Sequence, residues 1–300
     1  MDADVIAQFG IDARIAGDMR VLVLTGYGLN CEAETAAGFR MLGANVELVH
    51  VGDLIERGAS GLVGRHLLAF VGGFSFGDHV SSGRILANRL RYHMGDALQR
   101  FVDDGGLVLG ICNGFQTLVK LGLLPALDRR PGAGLASQMV SLVRNDRVGY
   151  RDAWVTLGAD PASPCVFTHG ITTLELPSRH GEGKLVFRDE TCQRRCFAQH
   201  LVALRYLDAN GDATEAWPDN PNGSPGGAAA LCDTTGRVFG IMPHPDAHLY
   251  RENHPDWPHW PDDTSMRDHG LRVQGGQGLA VFANGIRAAS FGAAPALRHH

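Results

Sequence analysis

The run Arg20-Val21-Leu22-Val23-Leu24-Thr25 is short, apolar and β-branched, and it is closed by Gly26 and Gly28. Val46 to Val51 reads as a second strand and Leu67 to Val71 as a third, the latter apolar and stopped by Gly72-Gly73, and a fourth run starts at Leu107. Unbroken apolar runs, rather than alternating ones, mark strands buried on both faces. Between them lie helical patterns: Cys31 to Leu42, ended by Gly43, and Ile85 to Val102, which carries Arg and Asp on its outer side and ends at Asp103-Asp104-Gly105-Gly106. Strands alternating with helices over short connections imply βαβ units and a parallel sheet across residues 20–124. The expected class is therefore α/β, with a flavodoxin-like parallel sheet flanked by helices.

After Pro125 the texture changes to alternating segments, Ala136 to Val143, Tyr150 to Leu157, Lys184 to Phe187 and Leu201 to Leu207, read as antiparallel strands added to an edge or face of that sheet. Arg237 to Met242 returns as a final core strand, and Gly278 to Ala289 closes the chain as a helix with Leu279, Phe282 and Ile286 on one side. Residues 1–19 are taken as an N-terminal extension and 20–300 as one domain. Within it, 247–270 is dense in Pro, His, Trp and Asp without a period and is taken as a long irregular insertion.

The 300 residues, 44% hydrophobic and 20% charged, suit a globular chain able to bury a large core. A net charge of −5 without a basic run gives no footprint for nucleic acid or an anionic membrane, which favours a small substrate. No apolar stretch reaches about 18 residues and no signal-peptide order opens the chain, so a cytoplasmic location with reduced thiols is expected. The six cysteines show neither a disulfide framework nor paired metal-ligand spacing, so no metal site is expected.

Chemistry concentrates in Leu107-Val108-Leu109-Gly110-Ile111-Cys112-Asn113-Gly114-Phe115-Gln116. A cysteine where a strand turns into a helix, with glycines two residues away on either side, has the form of a nucleophile elbow. An isolated cysteine among apolar residues is more often a small buried hydrophobe. The opposite reading gains weight from Gly240-Ile241-Met242-Pro243-His244-Pro245-Asp246, which adds a histidine and a carboxylate. Thiol attack on an acyl group needs a thiolate, a base that exchanges protons with it and a group that orients the base; Cys112, His244 and Asp246 are those three types. The start of a helix at Asn113 favours the thiolate. The Asn113 N–H is placed to receive an oxyanion, and Gly73 or Phe74, in the loop after the third strand, could supply a second donor. Cys31 lies near the same sheet edge but has no elbow around it.

An elbow cysteine, a glycine-rich loop after the preceding strand and a late Pro-His-Pro-acid turn together resemble the class I glutamine amidotransferases. Four further segments narrow the likeness: Gly28-Leu29-Asn30-Cys31-Glu32, Gly72-Gly73-Phe74-Ser75-Phe76-Gly77-Asp78, His180-Gly181-Glu182-Gly183 and Asn220-Pro221-Asn222-Gly223-Ser224. Together with Gly110–Gln116 and Met242–Pro245, and in that order over about residues 20–290, they resemble the glutaminase component of phosphoribosylformylglycinamidine synthases. That resemblance implies that Cys112 is the nucleophile, that His244 is the general base and acid, and that Gln116, one turn along the helix, holds substrate glutamine. It further implies ammonia supply to a large synthetase subunit, with a small bridging subunit, in de novo purine synthesis. ATP and magnesium would then belong to the synthetase, and no cofactor to this chain, which has no phosphate-binding P-loop.

The family usually carries glutamate two residues after the histidine. Asp246 is one methylene shorter, so the backbone must sit closer or the hydrogen bond must lengthen. A catalytically weakened regulatory or binding subunit is the alternative this departure raises, and a cysteine peptidase or chaperone-like hydrolase is a rival on the same architecture. Residues 180–183 and 220–224 are expected as surface loops at the mouth of the site, where a partner docks.

Overall fold

The computed structural model describes residues 3–259 and 275–291. The expected βαβ units are present. Strands β1 (Arg20–Thr25), β2 (Asn45–His50), β3 (Leu67–Phe70) and β4 (Leu107–Ile111) run parallel, and helices α3 (Glu32–Met41), α4 (Val51–Arg57), α5 (Arg84–Asp103) and α6 (Asn113–Leu121) connect or follow them. Every residue of β3 and β4 is buried, as strands covered on both faces must be. Along α5, Leu86, Leu90, Met94, Leu98, Phe101 and Val102 are buried at the three-to-four spacing of one helix face.

The later strands are β5 (Val140–Arg144), β6 (Arg151–Ala159), β7 (Thr173–His180), β8 (Glu182–Phe187), β9 (Leu204–Tyr206), β10 (Ala228–Cys232) and β11 (Val238–Ile241). They complete a nine-stranded sheet in the order β2-β1-β3-β4-β11-β10-β9-β6-β7, while β5 and β8 pair as a separate antiparallel ribbon. The first five strands in that order are parallel, which reproduces the flavodoxin-like order with β11 as the fifth strand. The rest pair antiparallel. Helix α7 (Glu190–Ala198) starts where the Asp189 side chain accepts from the Cys192 N–H, and α8 (Leu279–Phe291) closes the described chain.

The structure adds detail to two expectations about organisation. Within the N-terminal extension, α1 (Ala3–Gln8), α2 (Ala13–Asp18) and the residues beside them bury Ile6, Phe9, Ile11, Ala16 and Met19 in the core. The start of the 247–270 segment is also built in. The imidazoles of His248 and His254 are buried edge-on against Trp154, with ring centroids 5.0 and 4.5 Å away, and His254 lies 3.3 Å from the Glu175 carboxylate. Residues 260–270 lie outside the described residues.

Candidate active site

Four adjacent parallel strands, β1, β3, β4 and β11, deliver their C-terminal ends to one region, the edge at which such sheets hold ligands. Cys112 follows β4 directly. Its φ of 50° and ψ of −104° put a side-chain-bearing residue in the left-handed half of backbone space, and its N–H donates to the Ile241 carbonyl at 2.8 Å. Such a conformation persists only where its surroundings hold it. Gly114 is one reason it can: a Cβ there would come within 2.0 Å of the Phe70 carbonyl oxygen, so only glycine lets the first turn of α6 lie on β3.

His244 leaves β11 through Met242-Pro243, and its Nδ1 lies 3.1 Å from Asp246 Oδ1. The other carboxylate oxygen accepts the Thr35 hydroxyl of α3 at 3.1 Å. The shorter acid therefore reaches the ring without a lengthened bond, and Thr35 braces it from behind. Burial alone would depress the His244 imidazolium, but the Asp246 and Cys112 charges outweigh it and raise the group well above its ordinary value. A cysteine, an imidazole held cationic and a buried carboxylate are thus brought together; their roles follow below.

Strand β7, which the sequence reading left out, touches both Cys112 and His244. Its outer side presents alternate residues: the Glu175 carbonyl accepts His248 Nδ1 at 2.8 Å, the Pro177 carbonyl accepts the His244 N–H at 2.8 Å, and the Arg179 carbonyl accepts the Cys112 thiol at 3.6 Å. Pro177 is tolerated there because β7 ends the sheet and the missing N–H would have pointed away from β6.

The proposed oxyanion donors divide. Phe74 N–H donates to the Gly28 carbonyl at 2.8 Å, in a short bridge between Leu29 and Gly73, so that donor is engaged, whereas the same bridge turns the Gly73 N–H the other way. The Asn113 N–H is one of the first-turn donors that a helix leaves without an internal acceptor. Gln116 is buried with both ends of its amide engaged: Nε2 donates to the Glu182 carbonyl at 2.5 Å and Oε1 accepts from Asn113 Nδ2 at 3.0 Å. Around it stand three groups to which the sequence reading gave no individual role, two of them, Asp78 and Glu182, within its motifs. Asp78, raised by burial, accepts from Ser82 and Asn113, Glu182 accepts the Ser82 N–H, and Lys120, lowered to about 8 by burial and by Arg84, donates to the Ser82 carbonyl at 2.6 Å.

The 180–183 and 220–224 segments are not surface loops. His180, Asn220, Asn222 and Ser224 are all buried, because Asn145 and Ser178 satisfy the His180 ring while Asn220, Asn222 and Ser224 bond one another. Asn145 Nδ2 donates to the His180 carbonyl, so its Oδ1 is the acceptor; His180 then carries its proton on Nδ1 and its Nε2 accepts from Ser178. Asn222 donates to the Tyr206 hydroxyl, and Ser224 Oγ accepts the Leu185 N–H. This cluster fixes the β7–β8 turn whose carbonyls contact Cys112 and Gln116. At the open side stand the half-exposed rings of Phe74 and Tyr150, 6.2 Å apart.

Residues 18–288 match the family described as CobB/CobQ-like glutamine amidotransferase domain. The phosphoribosylformylglycinamidine synthase subunit PurQ of Dehalococcoides mccartyi is 36% identical over 269 residues, spanning 90% of this chain and 97% of that protein. Phosphoribosylformylglycinamidine synthase of Homo sapiens is 35% identical over 238 residues, 76% of this chain but 18% of that protein. A chain in the structure of PurLQS from Thermotoga maritima shares the fold at a TM-score of 0.62 and 23% identity, with 90% of this chain and 98% of that one covered.

Proposed function

The chain belongs to the CobB/CobQ-like glutamine amidotransferase family, and from that membership we propose that it hydrolyses glutamine to glutamate and ammonia as the glutaminase subunit of a phosphoribosylformylglycinamidine synthase. The observation that carries this reading is the strained Cys112 turn beside a His244 imidazole paired with Asp246. The Cys112 thiolate attacks the side-chain carbonyl carbon of glutamine, and the oxyanion that forms is received by the N–H groups of Asn113 and Gly73. The His244 imidazolium gives its proton to the departing nitrogen, ammonia leaves, and a γ-glutamyl thioester remains. Neutral His244 then takes a proton from water, hydroxide adds to the thioester carbonyl, and the C–S bond breaks to return the thiolate and release glutamate. Asp246 holds His244 in the tautomer and orientation both steps require. Gln116, with its amide already engaged, shapes the pocket through Glu182 and Asn113.

Ammonia passes to a separate synthetase subunit, where ATP and magnesium act and formylglycinamide ribonucleotide becomes formylglycinamidine ribonucleotide, with a small subunit bridging the two in the cytoplasm. The human relative supports the division, since more than four fifths of that protein has no counterpart in this chain. No helix among the described residues is long and apolar enough to cross a membrane. The test is ammonia release from glutamine with and without the synthetase. Cys112→Ala should lower turnover by about three orders of magnitude or more, and His244→Ala, which removes the proton carrier of both steps, should lower it comparably. No ammonia in either condition, or turnover indifferent to Cys112→Ala, would overturn the reading.

A further inference from the structure

The thiol of Cys31 lies beside this machinery and has no part in the reaction above. It sits at the start of α3, half-buried in the loop after β1. Its Sγ, a ring nitrogen of His244 and a carboxylate oxygen of Asp246 all lie within 4.8 Å of one another, the only such three-residue group of metal-ligand type among the described residues. Gly72 opens the space they share, because a Cβ there would come 2.8 Å from His244 Cε1 and 3.0 Å from Cys31 Sγ. The His244 Nε2 is buried, with no hydrogen-bond partner among the described residues. Cys112 is close enough to interact electrostatically with both Cys31 and His244.

We propose that Cys31, His244 and Asp246 form a binding site for a soft divalent cation of the zinc class, and that its occupancy shuts off glutamine hydrolysis. Thiolate sulfur with imidazole nitrogen selects zinc over magnesium or calcium, which prefer all-oxygen sets. Zinc holds sulfur at about 2.3 Å and nitrogen or oxygen at about 2.0–2.2 Å, so neighbouring ligand atoms of a tetrahedral site stand roughly 3.3–3.8 Å apart. The three groups need to converge by about 1 Å, within reach of side-chain rotation at Cys31 and Asp246. On binding, the Cys31 thiol releases its proton to solvent and a sulfur–metal bond forms. The His244 imidazolium likewise releases one ring proton to solvent, the lone pair so freed passes to the metal, and coordination at either ring nitrogen leaves the imidazole unable to shuttle protons. The fourth position falls to water or to Cys112.

The inhibition rests on the glutaminase reading, whereas the binding does not, and the experiment separates them. Zinc is titrated into the full chain against a chromophoric chelator, and cobalt is used in parallel for its thiolate charge-transfer absorption. Wild type, Cys31→Ser and Cys112→Ala are compared. Cys112→Ala should still bind one metal and show the cobalt–thiolate band. Cys31→Ser should bind zinc roughly tenfold or more weakly, and the zinc concentration that halves glutaminase turnover, relative to that variant's own metal-free rate, should rise by a similar factor. Zinc binding or inhibition unchanged in Cys31→Ser overturns the site. So does a Cys112→Ala protein without the band, a measurement that leaves Cys31 intact and decides the matter even if Cys31→Ser does not fold. Metal binding as described in a chain that releases no ammonia would leave the site standing and the glutaminase reading refuted.

Discussion

Burying His180 makes the fold sensitive to acid in a way that can be calculated. The ring is 2% exposed, and burial, with the nearby His244 charge adding to it, lowers its pKa to about 3. In the unfolded chain it titrates near 6.5. Between those values the unfolded state binds a proton that the folded state refuses, so the contribution is fully present above about pH 6.5 and is lost progressively below it. From the two values, moving from pH 7 to pH 5 costs about 2 kcal/mol through this one group. His248, lowered to about 4 by burial, adds about 2 kcal/mol more, while His244, shifted the opposite way, returns up to about 1 kcal/mol. Denaturant unfolding followed by tryptophan fluorescence at both pH values, on wild type and His180→Gln, isolates the first contribution. The variant should be less stable at pH 7, because Asn145 and Ser178 lose their partner, yet its loss on going to pH 5 should be smaller than wild type by about 2 kcal/mol. An equal acid penalty in the two proteins would mean that His180 is not held neutral, and the buried-cluster account would fail.

Asp246→Ala should reduce glutaminase turnover by roughly one to two orders of magnitude less than Cys112→Ala does, since the orienting acid is commonly the least costly member of such a set; equal losses in steady-state rates would refute this. Thr35→Val strips a hydrogen bond from the buried Asp246 oxygen and should lower stability by about 1–3 kcal/mol while reducing kcat more than it changes KM. In Gly114→Ala the new methyl would meet the Phe70 carbonyl at 2.0 Å, so thermal melting should show a loss of at least about 1–3 kcal/mol together with weakened turnover.

The parallel half of the sheet was legible because β1, β3, β4 and β11 are covered on both sides and are apolar along nearly their whole length, a demand written directly into residue type, while β2 at the edge is only partly buried. Strand β10, Ala-Ala-Ala-Leu-Cys, is as fully buried, but small side chains without β-branching leave no strand signature. Strand β7 hid behind Pro177, a residue that argues against a strand unless the strand is an edge, which only the assembled topology decides. The His180 and Asn220 segments were misjudged because polar side chains look solvated until their partners are known, and Asn145 and Tyr206 lie 35 residues from His180 and 16 from Asn222. The signal for α7 was available in Asp189, an N-cap three residues before Cys192. Cys112, His244 and Asp246 could be paired on motif and spacing, whereas Thr35 and the β7 carbonyls act through tertiary geometry that no local pattern encodes. The Phe74 N–H was expected as a free donor and is engaged, since strand exits can form bridges that a glycine pattern does not announce.

A terminal strand ordinarily offers its amide groups to any passing chain, and sheets need some stopper against that. On β7 the stopper is made largely of the candidate site: the Gln277 side-chain oxygen accepts the Glu175 N–H, and His248, His244 and Cys112 occupy the carbonyls of Glu175, Pro177 and Arg179. Loss of the Pro243-His244-Pro245 turn, or a bulky adduct on Cys112 that pushes it aside, would uncover a ready template for intermolecular pairing. Inactivated protein of this kind should self-associate through β7 rather than remain a silent monomer.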